Sequence, residues 1–271
     1  MSPQYAENQL RYFRVPKDEK DKRFYARKYK ALRLEALRAA PGSFSSTWES
    51  ESGLSEEEWV GRLFGGGGGG EKEVFVCAMR GEEGGEEERE WKWIAQVTMI
   101  GPKGKEEFRL PGLEADVEKG EEEDEDEELW QLSSLFTLPE YRGRGVGRGL
   151  CREAVEWVRN GRKCGGGEEE GRLMSEGKGE EKEKMIVKVV KVGLVVKVNK
   201  GREVESEGTV RLYRGLGFKE VGWCTLSEAR RANREVVVEN EKEKINGDGD
   251  VDVVEEERDG LVMMLRLVKG A

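Results

Sequence analysis

The sequence predicts an α/β protein, built as an α+β mixed sheet in one domain. Three observations carry this. Apolar runs of strand length alternate with amphipathic helical segments along the chain. A glycine-rich turn joins one of those runs directly to a helix. The polar surplus lies in low-complexity tracts that interrupt the elements without belonging to them.

The elements follow in order. Residues 10–15 alternate and stop at Pro16, a first strand. In residues 24–39, Tyr25, Tyr29, Leu32, Ala36 and Leu37 share one side of an amphipathic helix that ends before Pro41. Residues 41–47 are a loop. Ser55 with Glu58 three positions on is a capping box for a second helix, residues 56–63. Six consecutive glycines, 65–70, make a connector. Residues 73–79 and 93–100 are the strands of a hairpin with a polar insertion at 81–90. A strand at 130–137 leads into the glycine-rich turn and a helix. Residues 185–198 are valine-rich and too long for one ordinary strand, so Gly193 marks either a bulge or the start of the core strand. A helix around Tyr213, a short strand at 219–224 and a buried strand at 260–268 close the chain. With the insertions removed, the order is β-α-α-β-β-β-α-β-α-β-β.

At 271 residues the chain can bury one substantial core. The expectation is a single domain over 8–271, with insertions near 65–72, 81–90, 112–128, 161–184 and 239–258. Only 36% of residues are apolar and 38% are charged. Residues 114–128 hold eleven carboxylates and one lysine, a net of −10 that equals the charge of the whole chain. Charges balance elsewhere, so the low pI says little about substrate; such a tract reads as solvated. Cys77, Cys151, Cys164 and Cys224 have no C-x-x-C spacing and predict neither a disulfide framework nor a zinc site. The chain has no histidine, which excludes a histidine base, a Ser–His or Cys–His nucleophile and the common histidine-ligated metal sites. No metal is expected. No apolar run is long enough to span a bilayer, and the first fifteen residues do not read as a signal peptide. A cytoplasmic location, or a nuclear one, is expected.

The segment 132–154, LSSLFTLPEYRGRGVGRGLCREA, carries the chemistry. Strand, glycine turn and helix together hold phosphates. Glycines let backbone N–H groups converge, and a new helix adds unpaired N–H groups and the positive end of its dipole. Arg142, Arg144 and Arg148 supply cations for a multiply charged anion. A nucleotide P-loop requires Gly-Lys-Ser/Thr, which is missing after Gly145 and Gly147. A dinucleotide fingerprint requires a second strand and an acid about twenty residues on, and no strand arrives there. R-x-x-G-x-G does fit, as Arg142, Gly145 and Gly147, preceded by Leu138-Pro139-Glu140-Tyr141. This resembles the coenzyme A pyrophosphate loop of the GNAT superfamily of N-acetyltransferases. A flexible Gly/Arg linker is the bland alternative, and the ordered strand and helix on either side argue against it.

A second segment, Thr209-Val210-Arg211-Leu212-Tyr213-Arg214-Gly215-Leu216-Gly217-Phe218, is similar to the family's A-x-x-L-Y-x-x-x-G-F helix and turn, with Thr209 in place of Ala. Gly217 reads as a left-handed cap onto which Phe218 packs. Residues 194–199 resemble the preceding strand with its terminal Asn. The family spacing from that Asn to the Tyr is seven, whereas Asn199 and Tyr213 are fourteen apart. Either an insertion within 200–208 lengthens the loop, or Ser206 occupies the Asn position; the strand's end at Val198 favours the insertion and Asn199. Residues 32–49 with 55–59 also resemble the two N-terminal helices that line the acceptor side in the superfamily.

The resemblance implies a GNAT-like single domain: a central, mostly antiparallel sheet splayed around acetyl-CoA, with helices on both faces. It implies transfer of an acetyl group from acetyl-CoA, as cosubstrate, to a primary amine on a small molecule or peptide. The implied cofactor contacts are the backbone of Leu135, Phe136 and Thr137 with the pantetheine, and Gly143, Arg144, Gly145, Val146, Gly147 and Arg148, with Arg142, around the pyrophosphate. Asn199 would help to fix the cofactor. Tyr213 would be the general acid for the thiolate; a core tyrosine is the alternative. Many relatives carry a Glu before the loop, where this chain has Gln131, Ser133 and Ser134, so no base is assigned. A catalytically degenerate acetyl-CoA-binding regulatory module is the runner-up. A nucleic-acid-binding role, suggested by Arg-Gly-Arg-Gly, lacks a basic face to support it.

Overall fold

The computed structural model describes residues 10–44, 46–65, 71–80, 91–103, 128–160, 188–198, 203–225, 227–229 and 260–269. The expected insertions lie outside these residues except at their edges, and so do Cys164 and Asn199.

Seven strands form one sheet: β1 (Leu10–Arg14), β2 (Glu71–Met79), β3 (Lys92–Lys103), β4 (Glu128–Thr137), β5 (Lys188–Lys197), β6 (Lys219–Cys224) and β7 (Gly260–Lys269). Their order across the sheet is β1-β2-β3-β4-β5-β7-β6. Every neighbouring pair is antiparallel except β4 with β5. The sheet is thus mixed and mostly antiparallel, as expected, and β2–β3 is the expected hairpin.

Among the described residues, the helices of five residues or more are α1 (Lys22–Ala39), α2 (Trp48–Ser52), α3 (Glu56–Phe64), α4 (Val146–Arg159) and α5 (Glu203–Arg214). The period-2 alternation of the strands sorts them onto faces. Phe13 packs on Trp93, and Trp93 on Tyr25 of α1. Residues of the opposite parity face α4: Phe75 meets Trp157 at 5.6 Å, as does Trp130. Helices α1 and α4 therefore lie on opposite faces, and the apolar core runs through the sheet between them.

Four local details differ from the sequence reading. Helix α2 lies in residues 48–52, to which the sequence assigned no element; Thr47 and Ser50 cap it reciprocally, with Ser rather than Glu at the third position. Strand β4 begins at Glu128, which is 8% exposed and so belongs to the sheet rather than to the acidic tract. The long loop expected within 200–208 is not found. Helix α5 begins at Glu203, and the extra residues add turns to it. Finally, β5 pairs with β7 without a register shift at Gly193. That glycine marks instead the last pair with β4.

The Ser55–Glu58 capping box forms as the sequence indicates. So does the turn after α5. Gly217 has φ +93°, and the amides of Gly217 and Phe218 donate to Arg214 and Tyr213 carbonyls. Phe218 lies edge-on to Tyr213 at 5.6 Å.

Candidate functional site

The site begins where the sheet comes apart. β4 and β5 pair only at Glu128–Gln131 with Val190–Gly193. Past that point β4 continues along β3 and β5 along β7, and among the described residues the two make no further pair with each other. The cause lies in β4. Between the pairs Thr98/Ser133 and Gln96/Phe136, Ser134 and Leu135 oppose Val97 alone. Ser134 takes φ +54°. This is a β-bulge, which bends and twists the bulged strand. The bend turns one edge of Ser134–Thr137 away from β5 and leaves it a row of backbone groups with no strand to pair with.

The loop that follows aims a helix into this gap. Pro139–Tyr141 forms a 3-10 turn with Tyr141 buried. Gly143 and Gly145 take φ +73° and +79°, a region costly for other residues. No heavy atom lies within 4 Å of the position of a Cβ on either. Helix α4 starts at Val146 with Gly145 as its N-cap and no side chain capping it. Its first amides therefore point outward without a side-chain partner, an anion site.

The helix starts one turn earlier than the 150–158 run suggested, so Val146, Gly147 and Arg148 are its first turn rather than loop. The helical glycines have a packing reason. A Cβ on Gly147 would stand 3.4 Å from Thr137 Oγ1 and 3.5 Å from Leu212 Cδ1, so β4, α4 and α5 meet there. A Cβ on Gly149 would stand 2.8 Å from the Tyr12 hydroxyl.

The expected residues of β4 and the glycine loop are adjacent here. Leu135, Phe136 and Thr137 lie on the bulged edge, and residues 142–148 form the loop and first turn. Arg142 has an additional part: its Nε donates to the Thr137 carbonyl at 2.9 Å, and its guanidinium lies 5.4 Å from the Phe136 ring centre. It braces the strand end as well as facing the loop. Tyr213, 5% exposed, sits beside Cys151 of α4. Burial first, and the Cys151 thiol second, push its hydroxyl well above the usual tyrosine range. The phenol therefore stays protonated. Ser206 is buried two helical turns before Tyr213 on the same stripe of α5. Glu140 is exposed and pairs with Lys92 at 3.4 Å.

The other face of the bulge is covered by residues that the sequence reading did not single out. Phe44 packs on Phe136 at 6.1 Å, and the Arg33 guanidinium lies 4.5 Å from the Phe44 ring centre. Glu51, fully buried, accepts two hydrogen bonds from Arg33, at 2.9 and 3.1 Å, and one from Ser46, and pairs with Arg62 at 3.0 Å. Burial alone would raise its pKa. The hydrogen bonds and charge of Arg33, with Ser46 and Arg62, overcome that and hold it below the usual carboxylate range. This cluster ties α1, α2 and α3 together above the bulge. No periodicity or spacing signals it, because its members are 13 to 18 positions from Arg33 or farther along the chain.

Cys77, Cys151 and Cys224 are buried free thiols. Among the described residues, no group of three or more acidic, cysteine or histidine side chains could hold a metal, and no helix is long and apolar enough to cross a membrane.

Comparison with known proteins gives the following. No curated protein matches the chain. Among solved structures, it is similar to a GCN5-related N-acetyltransferase from Kribbella flavida (14% identity, covering 97% of this chain and 100% of that one, TM-score 0.43). It is also similar to spermidine N-acetyltransferase from Vibrio cholerae, solved with CoA and spermine (14%, 96% and 96%, 0.42), and to Arabidopsis thaliana NAA60 with acetyl-CoA (12%, 95% and 98%, 0.44). The family model "Acetyltransferase (GNAT) family" matches residues 116–166, which contain β4, the glycine loop and α4. The segment that builds the site is thus the segment that is similar to the GNAT acetyltransferase family.

Proposed function

We propose that the protein moves an acetyl group from acetyl-CoA to a primary amine, on a small molecule or a peptide, by direct attack in a ternary complex. One observation carries this reading. The unpaired edge of β4 beyond its bulge and the uncapped N-terminus of α4 meet at Thr137 and Gly147, beside Leu212 of α5, the residue before Tyr213 in the sequence. The backbone of Leu135, Phe136 and Thr137 offers a strand edge for the pantetheine amides, and one of its N–H groups polarises the thioester carbonyl. Gly143 to Arg148 wrap the pyrophosphate, and the open space at Gly143 and Gly145 leaves room for it. Tyr213 returns a proton to the leaving thiolate. Asn199, which lies outside the described residues, or Ser206 completes the cofactor contacts. The proposed compartment is the cytoplasm, or the nucleus.

A degenerate acetyl-CoA-binding module is the second reading. Gln131 favours it: this neutral amide accepts from Lys103 Nζ at 3.0 Å on the strand before the loop, where many relatives carry a Glu. Two measurements decide. Calorimetry with acetyl-CoA should show binding by wild type and about a hundredfold loss for Gly145→Glu, since a non-glycine residue in left-handed conformation costs ~1–2 kcal/mol and its carboxylate would repel the pyrophosphate. Equal binding by the two proteins, or none, sinks the proposal. A thiol-release screen over amines then separates a transferase, which releases CoA with at least one acceptor, from a binding module.

A further inference from the structure

Among the described residues, three polar atoms at the bulge have no hydrogen-bond partner. Gln96 is fully buried and Thr98 2% exposed, and among the described residues neither the Gln96 amide oxygen and nitrogen nor the Thr98 hydroxyl makes a hydrogen bond. Both sit on β3 two positions apart, so they share a face, and their cross-strand neighbours Val74, Val76 and Phe136 are buried and apolar. Left unsatisfied, such groups cost about 1–3 kcal/mol each, and native interiors meet that need with ordered water.

Their place is specific. Gln96 pairs with Phe136 and Thr98 with Ser133, the two residues that bracket the bulge. Gln96 also pairs with Val76, and Val76 with Phe13, so the orphaned atoms face α1 and not α4. That is the side opposite the cofactor helix, under Phe44. The charged groups facing it are Lys103 of β3, which donates to Gln131, and the Arg33–Glu51–Arg62 cluster from α1, α2 and α3. Glu51 is engaged by both arginines, so it is a poor proton acceptor. Ser133, paired with Thr98, is half-buried and is the nearest of these residues to have solvent exposure.

We propose that Gln96 and Thr98 are positioning residues that hold a water on the acceptor face of the bulge, and that this water takes the proton of the attacking amine. As the C–N bond forms, the amine proton passes to the water, which hands one of its own through the Ser133 hydroxyl to solvent. The C–S bond breaks, and the thiolate takes the Tyr213 proton, which solvent restores. Three neutral groups suffice to fix a water, whose position relative to the amine replaces the missing carboxylate. The inference rests on the transferase reading above.

The test uses Thr98→Val, Gln96→Leu and Gln96→Glu in the full chain, each checked by thermal melting and acetyl-CoA calorimetry. Acceptors are benzylamine, spermidine and a short peptide with a free α-amine. Acetyl-CoA affinity should stay within about twofold of wild type, while kcat/KM for the acceptor falls about tenfold or more in the Val and Leu variants. Gln96→Glu should add a new ionisation to the pH–rate profile, with activity recovering above it, which a packing role would not produce. Turnover within about twofold of wild type in Thr98→Val and Gln96→Leu, or an unchanged profile in Gln96→Glu, overturns the inference. If the position-96 variants do not fold, the near-isosteric Thr98→Val decides alone. A wild type that binds acetyl-CoA and acetylates no amine fails differently: it overturns the transferase reading, and this inference with it.

Discussion

The two faces of the bulge are built on different principles. Toward α4, the site consists of backbone: an unpaired strand edge, glycines in left-handed conformation and the bare amides of a helix N-terminus. Toward α1, it consists of side chains brought from four elements: Phe44, the Arg33–Glu51–Arg62 cluster and the orphaned pair on β3. A backbone site demands particular residues at adjacent positions, since only glycine tolerates φ near +75° without cost. A side-chain site demands only that something of suitable polarity arrive from anywhere. Under the proposed function, the first suits an invariant cosubstrate and the second would let the acceptor vary.

Tyr213→Phe tests whether chemistry and cofactor binding separate on the α4 side, and it carries the largest expected effect. Turnover should fall by about 10²–10⁴-fold with acetyl-CoA affinity unchanged, as for loss of a general acid. Steady-state kinetics beside calorimetry would show it, and an unaffected kcat would remove the residue from the mechanism.

Glu51→Ala attacks the α1 side. It leaves Arg33 buried without its carboxylate, at a cost of about 3–5 kcal/mol in a denaturant titration. If the faces are independent, the folded fraction should still bind acetyl-CoA with wild-type affinity.

The same residue gives a pH dependence. Its carboxyl is held below the ordinary 4.5 in the fold. Its contribution is therefore complete above that value and fades as pH falls through the folded-state value. Melting temperatures should drop more steeply below about pH 4.5 in wild type than in Glu51→Gln; parallel curves would dismiss the ion pair as a source of acid sensitivity.

Phe44→Ala should have the smallest effect. Losing its contact with Phe136 costs about 1 kcal/mol. The acceptor KM should rise by several-fold while the KM for acetyl-CoA holds. A change in both would mean that Phe44 reaches through the bulge to the cofactor edge.

This contrast also explains what the sequence made legible. The order of strands and helices could be read because period-2 and period-3.6 patterns are local, and Arg142 to Gly147 could be read because backbone chemistry is written in consecutive residues. The left-handed turn at Gly217 and the packing of Phe218 on Tyr213 are of the same kind. Helix α2 escaped because its cap pairs Thr47 with Ser50, and a Ser at that position also suits a loop. The extra turns of α5 escaped because Glu-Val-Glu-Ser-Glu-Gly has no apolar stripe to distinguish helix from loop. The bulge at Ser134 left no glycine as a marker. Gln96 and Thr98 read as ordinary strand residues; only their pairing with Phe136 and Ser133 gives them a place in the site.

The contact between Gly149 and Tyr12 has a practical consequence. The first strand is five residues long and more than a hundred positions from the cofactor loop, yet its tyrosine ring fills the space that a side chain on α4 would need, and Arg14 lies over Trp157 on the same helix. The seat of α4 is thus a wedge supplied by β1. An affinity tag or shortened start that disturbs β1 would loosen the far end of that wedge, and the preparation would present as a weak acetyl-CoA binder with an intact glycine loop.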